Sequence, residues 1–182
     1  MFYDPKELFE LNPDREVREF NRFKQIINYY KNPHDIEQML LDGWKPTKRK
    51  LVGDSNGKNY YDSKPILQFD GYETFKFNLF KNISLTNEYQ SVPHIDGYTG
   101  TTEIIYLSKE NGGTALYKGS AKQSSEIEND WMIQTELEVL YLHRGIFNSC
   151  FIFPSNIPHG FYIKDQEKQK EFWRITQVKF NA

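Results

Sequence analysis

From Lys45 onward, apolar residues fall in short runs at close intervals, with polar turn residues between them. The runs span 65–69, 74–82, 94–96, 103–107, 114–118, 138–143, 149–153, 160–164 and 172–180. Turn chemistry separates them at Asp54-Ser55-Asn56-Gly57, Asp70-Gly71, Asn111-Gly112-Gly113 and Pro154-Ser155-Asn156. Many short strands punctuated in this way predict a sandwich, jelly roll or barrel. Ahead of them the pattern changes. Residues 14–23 (DREVREFNRF) read as polar helix or irregular structure, and 24–30 (KQIINYY), β-branched and aromatic, as a strand. Asn32-Pro33 predicts a helix start, with Asn32 as N-cap and Pro33 at the first helical position. Ile36, Met39 and Leu40 keep helical spacing, and Gly43 ends that helix. A further brief helix is predicted over 126–134. The outline is α+β and mainly β: one domain over 1–182, with a helical part at about 1–48 packed outside a β core at about 60–180.

Composition narrows the class. Aromatics make up 16% of the chain against 38% hydrophobic residues overall, so the core is built largely on Phe and Tyr. Phe147, Phe151 and Phe153 are its expected members. A net charge of −2 gives no long-range attraction to polyanions or acidic membranes and disfavours long nucleic acid. The basic run 45–50 (KPTKRK) reads as a solvated loop rather than a binding patch. Cys150 is the only cysteine, so no intrachain disulfide forms and a reducing, cytoplasmic setting is expected. It falls among core positions and reads as a buried, inert thiol. The N-terminus lacks a signal-peptide apolar region, and no run is long enough to cross a bilayer.

The chemistry concentrates in His94-Ile95-Asp96 and the distant Pro158-His159-Gly160. On an extended strand, residues i and i+2 project from one face, so His94 and Asp96 offer an imidazole and a carboxylate to one point. His159 from a distant strand completes a facial triad of two histidines and one carboxylate. Such a triad suits Fe(II) and leaves coordination positions open. His34, at the helix start, and His143, at a strand end, read instead as surface or structural histidines. Trp131 and Trp173 read as packing residues.

The same residues carry a resemblance. VPHIDGYTGTTEIIYLSKENGGTALYKG, FIFPSNIPHGFYIKD and FWRITQVKF are similar to the core of the 2-oxoglutarate- and Fe(II)-dependent oxygenases, nearest to small prolyl-hydroxylase-like bacterial and phage members. The shared parts, in order, are H-x-D, Tyr106-Leu107, Gly112-Gly113-Thr114, Phe153-Pro154, His159 and Arg174-Ile175-Thr176; IINYYKNPHDIEQML resembles the opening of some members. The resemblance covers about residues 24–180. It implies a double-stranded β-helix of jelly-roll type, with Fe(II) at one mouth held by His94, Asp96 and His159. It further implies 2-oxoglutarate and O2 as co-substrates.

The distal carboxylate of 2-oxoglutarate needs a cation, and the planar fork of arginine matches it. Arg174 and Thr176 share a strand face and are the expected anchor. Arg174 follows His159 at a longer interval than is usual in the family. The charged stretch 164–171 can loop out to absorb the difference; Lys164 and Arg144 are the lesser candidates. Asn78 and Tyr106 read equally as co-substrate contacts or core. Residues 97–102 (GYTGTT) and the 119–135 loop either frame the substrate entrance or simply connect strands.

The expected activity is a dioxygenase that couples oxidative decarboxylation of 2-oxoglutarate to hydroxylation of a C–H bond in a protein side chain or small metabolite. The alternative is a cupin-like metal protein that handles a small acid or sugar without O2 chemistry, since one fold hosts many functions.

Overall fold

The structure is a computed structural model and describes residues 5–43, 60–67, 75–82, 93–109, 113–123, 137–162 and 172–182, with 5–6, 41–43, 60–67, 75–82, 161 and 172–174 described by backbone alone. The elements run α1 (Pro5–Leu8), β1 (Glu16–Phe20), β2 (Phe23–Ile27), α2 (Pro33–Gly43), β3 (Tyr60–Leu67) and β4 (Phe75–Asn82). They continue with β5 (Thr101–Tyr106), β6 (Gly113–Tyr117), β7 (Val139–Arg144), β8 (Ser149–Pro154), β9 (His159–Tyr162) and β10 (Phe172–Asn181). Strands thus lie close to most of the expected runs, and Ser155-Asn156 turn the chain after β8. The helix predicted at 126–134 lies outside the described residues, as do Trp131, Lys164, the basic run 45–50, the turns predicted at 54–57, 70–71 and 111–112, and residues 124–135 of the 119–135 loop.

The N-terminal part differs from expectation. Residues 14–23 are neither helix nor irregular: β1 and β2 form an antiparallel hairpin closed by Asn21-Arg22, with Phe20 opposite Phe23. Asn21 adopts φ 56, a left-handed conformation that Asn tolerates better than most side chains. β1 is an edge strand exposed along most of its length, so its charges hid it; Arg18 bonds Glu16 at 2.7 Å on one face. Exposed charged residues are a common way of protecting such an edge. The N-terminal part is therefore a hairpin plus α2 and the single turn α1, not a set of helices. Pro33 does open α2, which extends through Gly43.

Two antiparallel sheets result. The larger has the order β1-β2-β8-β5-β10-β4-β3 and the smaller β7-β6-β9, extended by a bridge between His94 and His159. From β4 onward the chain passes from the large sheet to the small one at His94 and back at β5. It then places β6 and β7 in the small sheet, β8 in the large, β9 in the small and β10 in the large.

Period-two alternation gives the large sheet two buried faces. On the outer face Ile105, Leu107, Cys150 and Ile175 pack with Ile36, Met39, Leu40 and Tyr30. On the inner face Ile104, Tyr106, Phe151 and Phe153 pack with Leu116 of the small sheet and with Ile157. Phe147, expected in the core, instead sits half-buried in a turn with its ring 4.8 Å from that of His34. Cys150 is buried on the α2 side, and burial pushes its thiol far up, as expected of an inert thiol. No helix among the described residues is long and apolar enough to cross a membrane.

Candidate metal centre

The His94 and His159 backbones exchange two hydrogen bonds, N–H to carbonyl at 3.0 Å and 2.9 Å. This pairing sets the two imidazoles side by side, with ring centroids 4.6 Å apart. Asp96 is not on a strand: it occupies a bend, pinned where its N–H and that of Gly97 donate to the Ser155 carbonyl at 3.0 Å and 3.4 Å. The turn after β8 thus places the carboxylate, rather than strand alternation. The outcome for the three side chains is the one expected. One ligand atom from each of His94, Asp96 and His159 lies within 4.8 Å of the others.

Hydrogen bonds around the triad fix its orientation. The Thr102 hydroxyl donates to Asp96 Oδ2 at 2.8 Å, so the Ser155 hydroxyl, 3.0 Å away, donates to Thr102. His159 Nδ1 lies 2.9 Å from the Ile157 carbonyl, which can only accept; the proton is therefore on Nδ1. Nε2 then faces Asp96 Oδ2 at 3.0 Å, while His94 Nε2 lies 3.8 Å from Oδ1. Burial would raise the Asp96 carboxyl. The neighbouring His159, the Thr102 hydroxyl and His94 favour the anion, outweigh burial and hold the pKa below its ordinary value. Asp96 is an anion across the physiological range.

Thr102 and Ser155 were not singled out by sequence reasoning. Thr101-Thr102 belong to β5, so only residues 97–100 form a loop. At Gly100, with φ 83, a Cβ would overlap the Asn181 carbonyl, so this loop closes directly on the end of β10. The signal that could have found Thr102 is a hydroxyl at an inward strand position just after a candidate ligand.

Deeper between the sheets, one rung aligns Asn78 of β4, Thr176 of β10, Tyr106 of β5 and Ser149 of β8. The Tyr106 hydroxyl meets Thr114 Oγ1 at 2.6 Å. Thr176 Oγ1 is buried without a hydrogen-bond partner among the described residues, which costs about 1–3 kcal/mol if nothing fills the gap. Arg174 lies two positions along β10 from Thr176, opposite Phe80; its side chain and that of Asn78 lie outside the described residues. Arg144 is exposed and of opposite strand parity to inward-facing His143, which removes it as an anchor.

Of the two readings given for His143, the surface one is excluded. His143 is 2% exposed, with its ring between those of Phe151 (4.4 Å) and Tyr106 (5.1 Å). Burial lowers its pKa to about 4. Gln25, a buried residue of β2, reaches its Nε2 at 2.9 Å.

No family model and no curated protein matches the chain. Solved structures similar to it include the epimerase SnoN from nogalamycin biosynthesis in complex with Fe3+, alpha ketoglutarate and nogalamycin RO. That likeness has a TM-score of 0.50 at 11% identity, over 87% of this chain and 77% of that one. A Pseudomonas putida prolyl-4-hydroxylase aligns with a TM-score of 0.44 at 9% identity, over 87% of this chain and 91% of that one. The Fe(II)/(alpha)ketoglutarate-dependent dioxygenase TqaL gives 0.31 at 14%, over 98% of this chain and 69% of that one. Identity this low speaks for fold alone. The fold shared with SnoN is one found among the 2-oxoglutarate-dependent non-haem iron enzymes, the superfamily that the sequence motifs resemble.

Proposed function

We propose that the chain is a non-haem Fe(II), 2-oxoglutarate-dependent dioxygenase that hydroxylates a protein side chain or small metabolite, releasing succinate and CO2. The observation that carries this reading is the cluster of His94, Asp96 and His159 at one end of the space between two antiparallel sheets. The alternation of the chain between those sheets supports a double-stranded β-helix, the jelly roll.

The donor set fits the metal. Two imidazole nitrogens and one carboxylate oxygen are the ligands of a facial Fe(II) triad, and the Ile157 carbonyl fixes the tautomer that leaves His159 Nε2 free to ligate. His94, Asp96 and His159 would hold Fe(II), which with O2 supplies the oxidising power for attack on a C–H bond. Asp96 neutralises part of the cation's charge, and Thr102 and Ser155 keep its carboxylate turned. Arg174 anchors the distal carboxylate of 2-oxoglutarate with Thr176, whose unpartnered hydroxyl is a ready donor. Tyr106 and Asn78, on the Thr176 rung, flank it. The apolar wall of Phe151 and Phe153 excludes water. A cytoplasmic setting goes with this reading.

Anaerobic titration of 2-oxoglutarate into the Fe(II)-loaded protein, followed by the metal-chelate absorbance, tests it. Saturable binding and succinate formation in air are expected. Asp96→Ala should lose metal affinity by more than the roughly 10–100-fold typical of an outer-shell change. A metal-loaded protein that binds no 2-oxoglutarate would replace this reading by the cupin-like one.

A further inference from the structure

We propose that His143 is a ligand-binding residue whose Nδ1–H, together with the Thr176 hydroxyl, donates to the distal carboxylate of the 2-oxo acid held between the sheets. This rests on the co-substrate reading above.

Two atoms carry it. His143 Nδ1 and Thr176 Oγ1 are both buried and have no hydrogen-bond partner among the described residues. The identity of the first follows from its neighbour. An amide nitrogen can only donate, so Gln25 Nε2 at 2.9 Å makes His143 Nε2 the acceptor. The ring proton is then on Nδ1, a donor with no acceptor among the described residues. Native structures leave few such groups, and each calls for an explanation.

Placement supplies one. His143 sits opposite Thr114 on the small sheet, and Thr176 sits opposite Tyr106 on the large one. The Tyr106 ring lies nearly parallel to His143, at 14°, and its hydroxyl bonds Thr114. Both orphan donors therefore border Tyr106 from facing sheets, on the rows that lead inward from the triad. Packing alone does not account for the histidine. A phenylalanine would fill a slot between two aromatic rings without burying a second polar residue, Gln25, to set its tautomer. Burial keeps the imidazole neutral at working pH, with a pKa of about 4. It thus adds direction to a site whose full charge comes from arginine.

The discriminating pair of ligands is 2-oxoglutarate and 2-oxovalerate, which has the same five-carbon chain but ends in a methyl group. Each is titrated anaerobically into the Fe(II)-loaded protein. His143→Phe, which keeps the stacking, should weaken 2-oxoglutarate binding by about fivefold to twentyfold and leave 2-oxovalerate and metal binding unchanged. His143→Asn should recover part of the loss. Equal weakening of both acids, or of neither, overturns the inference while the co-substrate reading stands. Absence of 2-oxoglutarate binding by the unmutated protein overturns both. A second measurement needs no variant. In the Zn(II)-loaded, 15N-histidine-labelled protein, which has four histidines, His143 should show the Nδ1–H tautomer. Adding 2-oxoglutarate should shift Nδ1 and slow its proton's exchange. An Nε2–H tautomer, or an Nδ1 signal indifferent to 2-oxoglutarate, also overturns it.

Discussion

On the outer face of the large sheet, Ile105, Leu107, Cys150 and Ile175 meet Ile36, Met39 and Leu40 of α2. On the inner face the intervening residues of the same strands include Thr102, Tyr106, Ser149 and Thr176, and the small sheet answers with Thr114, His143 and His159. Both faces are buried, but only the outer one is mainly aliphatic. Burying polar groups without partners is unfavourable; among the described residues the inner face leaves two such atoms, His143 Nδ1 and Thr176 Oγ1, and the outer face one, Gln177 Nε2, whose Oε1 accepts from Tyr30. The outer face holds the sheet to its helix. The inner face buries more polar side chains, among them Gln25, Thr102, Thr114, His143 and Thr176. On the proposed function, the contrast separates residues that keep the fold from residues that serve a ligand.

A substitution on the outer face should break the fold and spare the site. Leu40→Ala, at a position 1% exposed, should cost about 2–5 kcal/mol in urea unfolding, with the affinity of the remaining folded protein for 2-oxoglutarate unchanged. A comparable loss of affinity would mean that the two faces are coupled.

Acid should act through the inner face. Below its ordinary value of 6.5, the unfolded chain protonates His143, whereas the folded chain resists until about pH 4. The unfolded state therefore binds more protons in that window, and stability falls as pH drops through it, by about 1.4 kcal/mol per unit and roughly 3 kcal/mol in all. Asp96, with its lowered pKa, adds stability that is present above its ordinary value of 3.8 and disappears only at more acid pH. Unfolding free energies of the metal-free protein between pH 7 and pH 4 should show the His143 slope, and His143→Phe should flatten it.

The anchor comes next in size. Arg174→Met should weaken 2-oxoglutarate binding about tenfold to a hundredfold, as loss of a charge-assisted bond of about 1.5–3 kcal/mol implies, and leave metal binding intact. Arg174→Lys should recover only part, because a point charge does not reproduce the fork. Unchanged affinity in Arg174→Met would return Lys164 to consideration.

The smallest effect sharpens the comparison most. Thr176→Val replaces an unpartnered buried hydroxyl by a methyl group of similar shape, so stability should hold or rise by up to about 1 kcal/mol. Affinity for 2-oxoglutarate should nevertheless fall by less than about tenfold. A fall in stability would place Thr176 with the packing residues.

The sequence by itself determined the local elements and the ligand types. Strands after residue 60 were legible because apolar runs and turn residues encode them locally, and Pro33 marked the start of α2. His94, Asp96 and His159 were legible as a candidate cluster because few residue types ligate a metal ion. The β1–β2 hairpin was not, since an exposed edge strand carries charges on both faces and leaves no alternation to read. Only the tertiary structure decided that His94 and His159 share a hydrogen-bonded pair, that Thr102 turns Asp96, and that Gln25 sets the tautomer of His143 across 118 residues. The physical reason is that periodicity tells which side of a strand is buried, while the choice of neighbour depends on pairing between segments far apart in the chain.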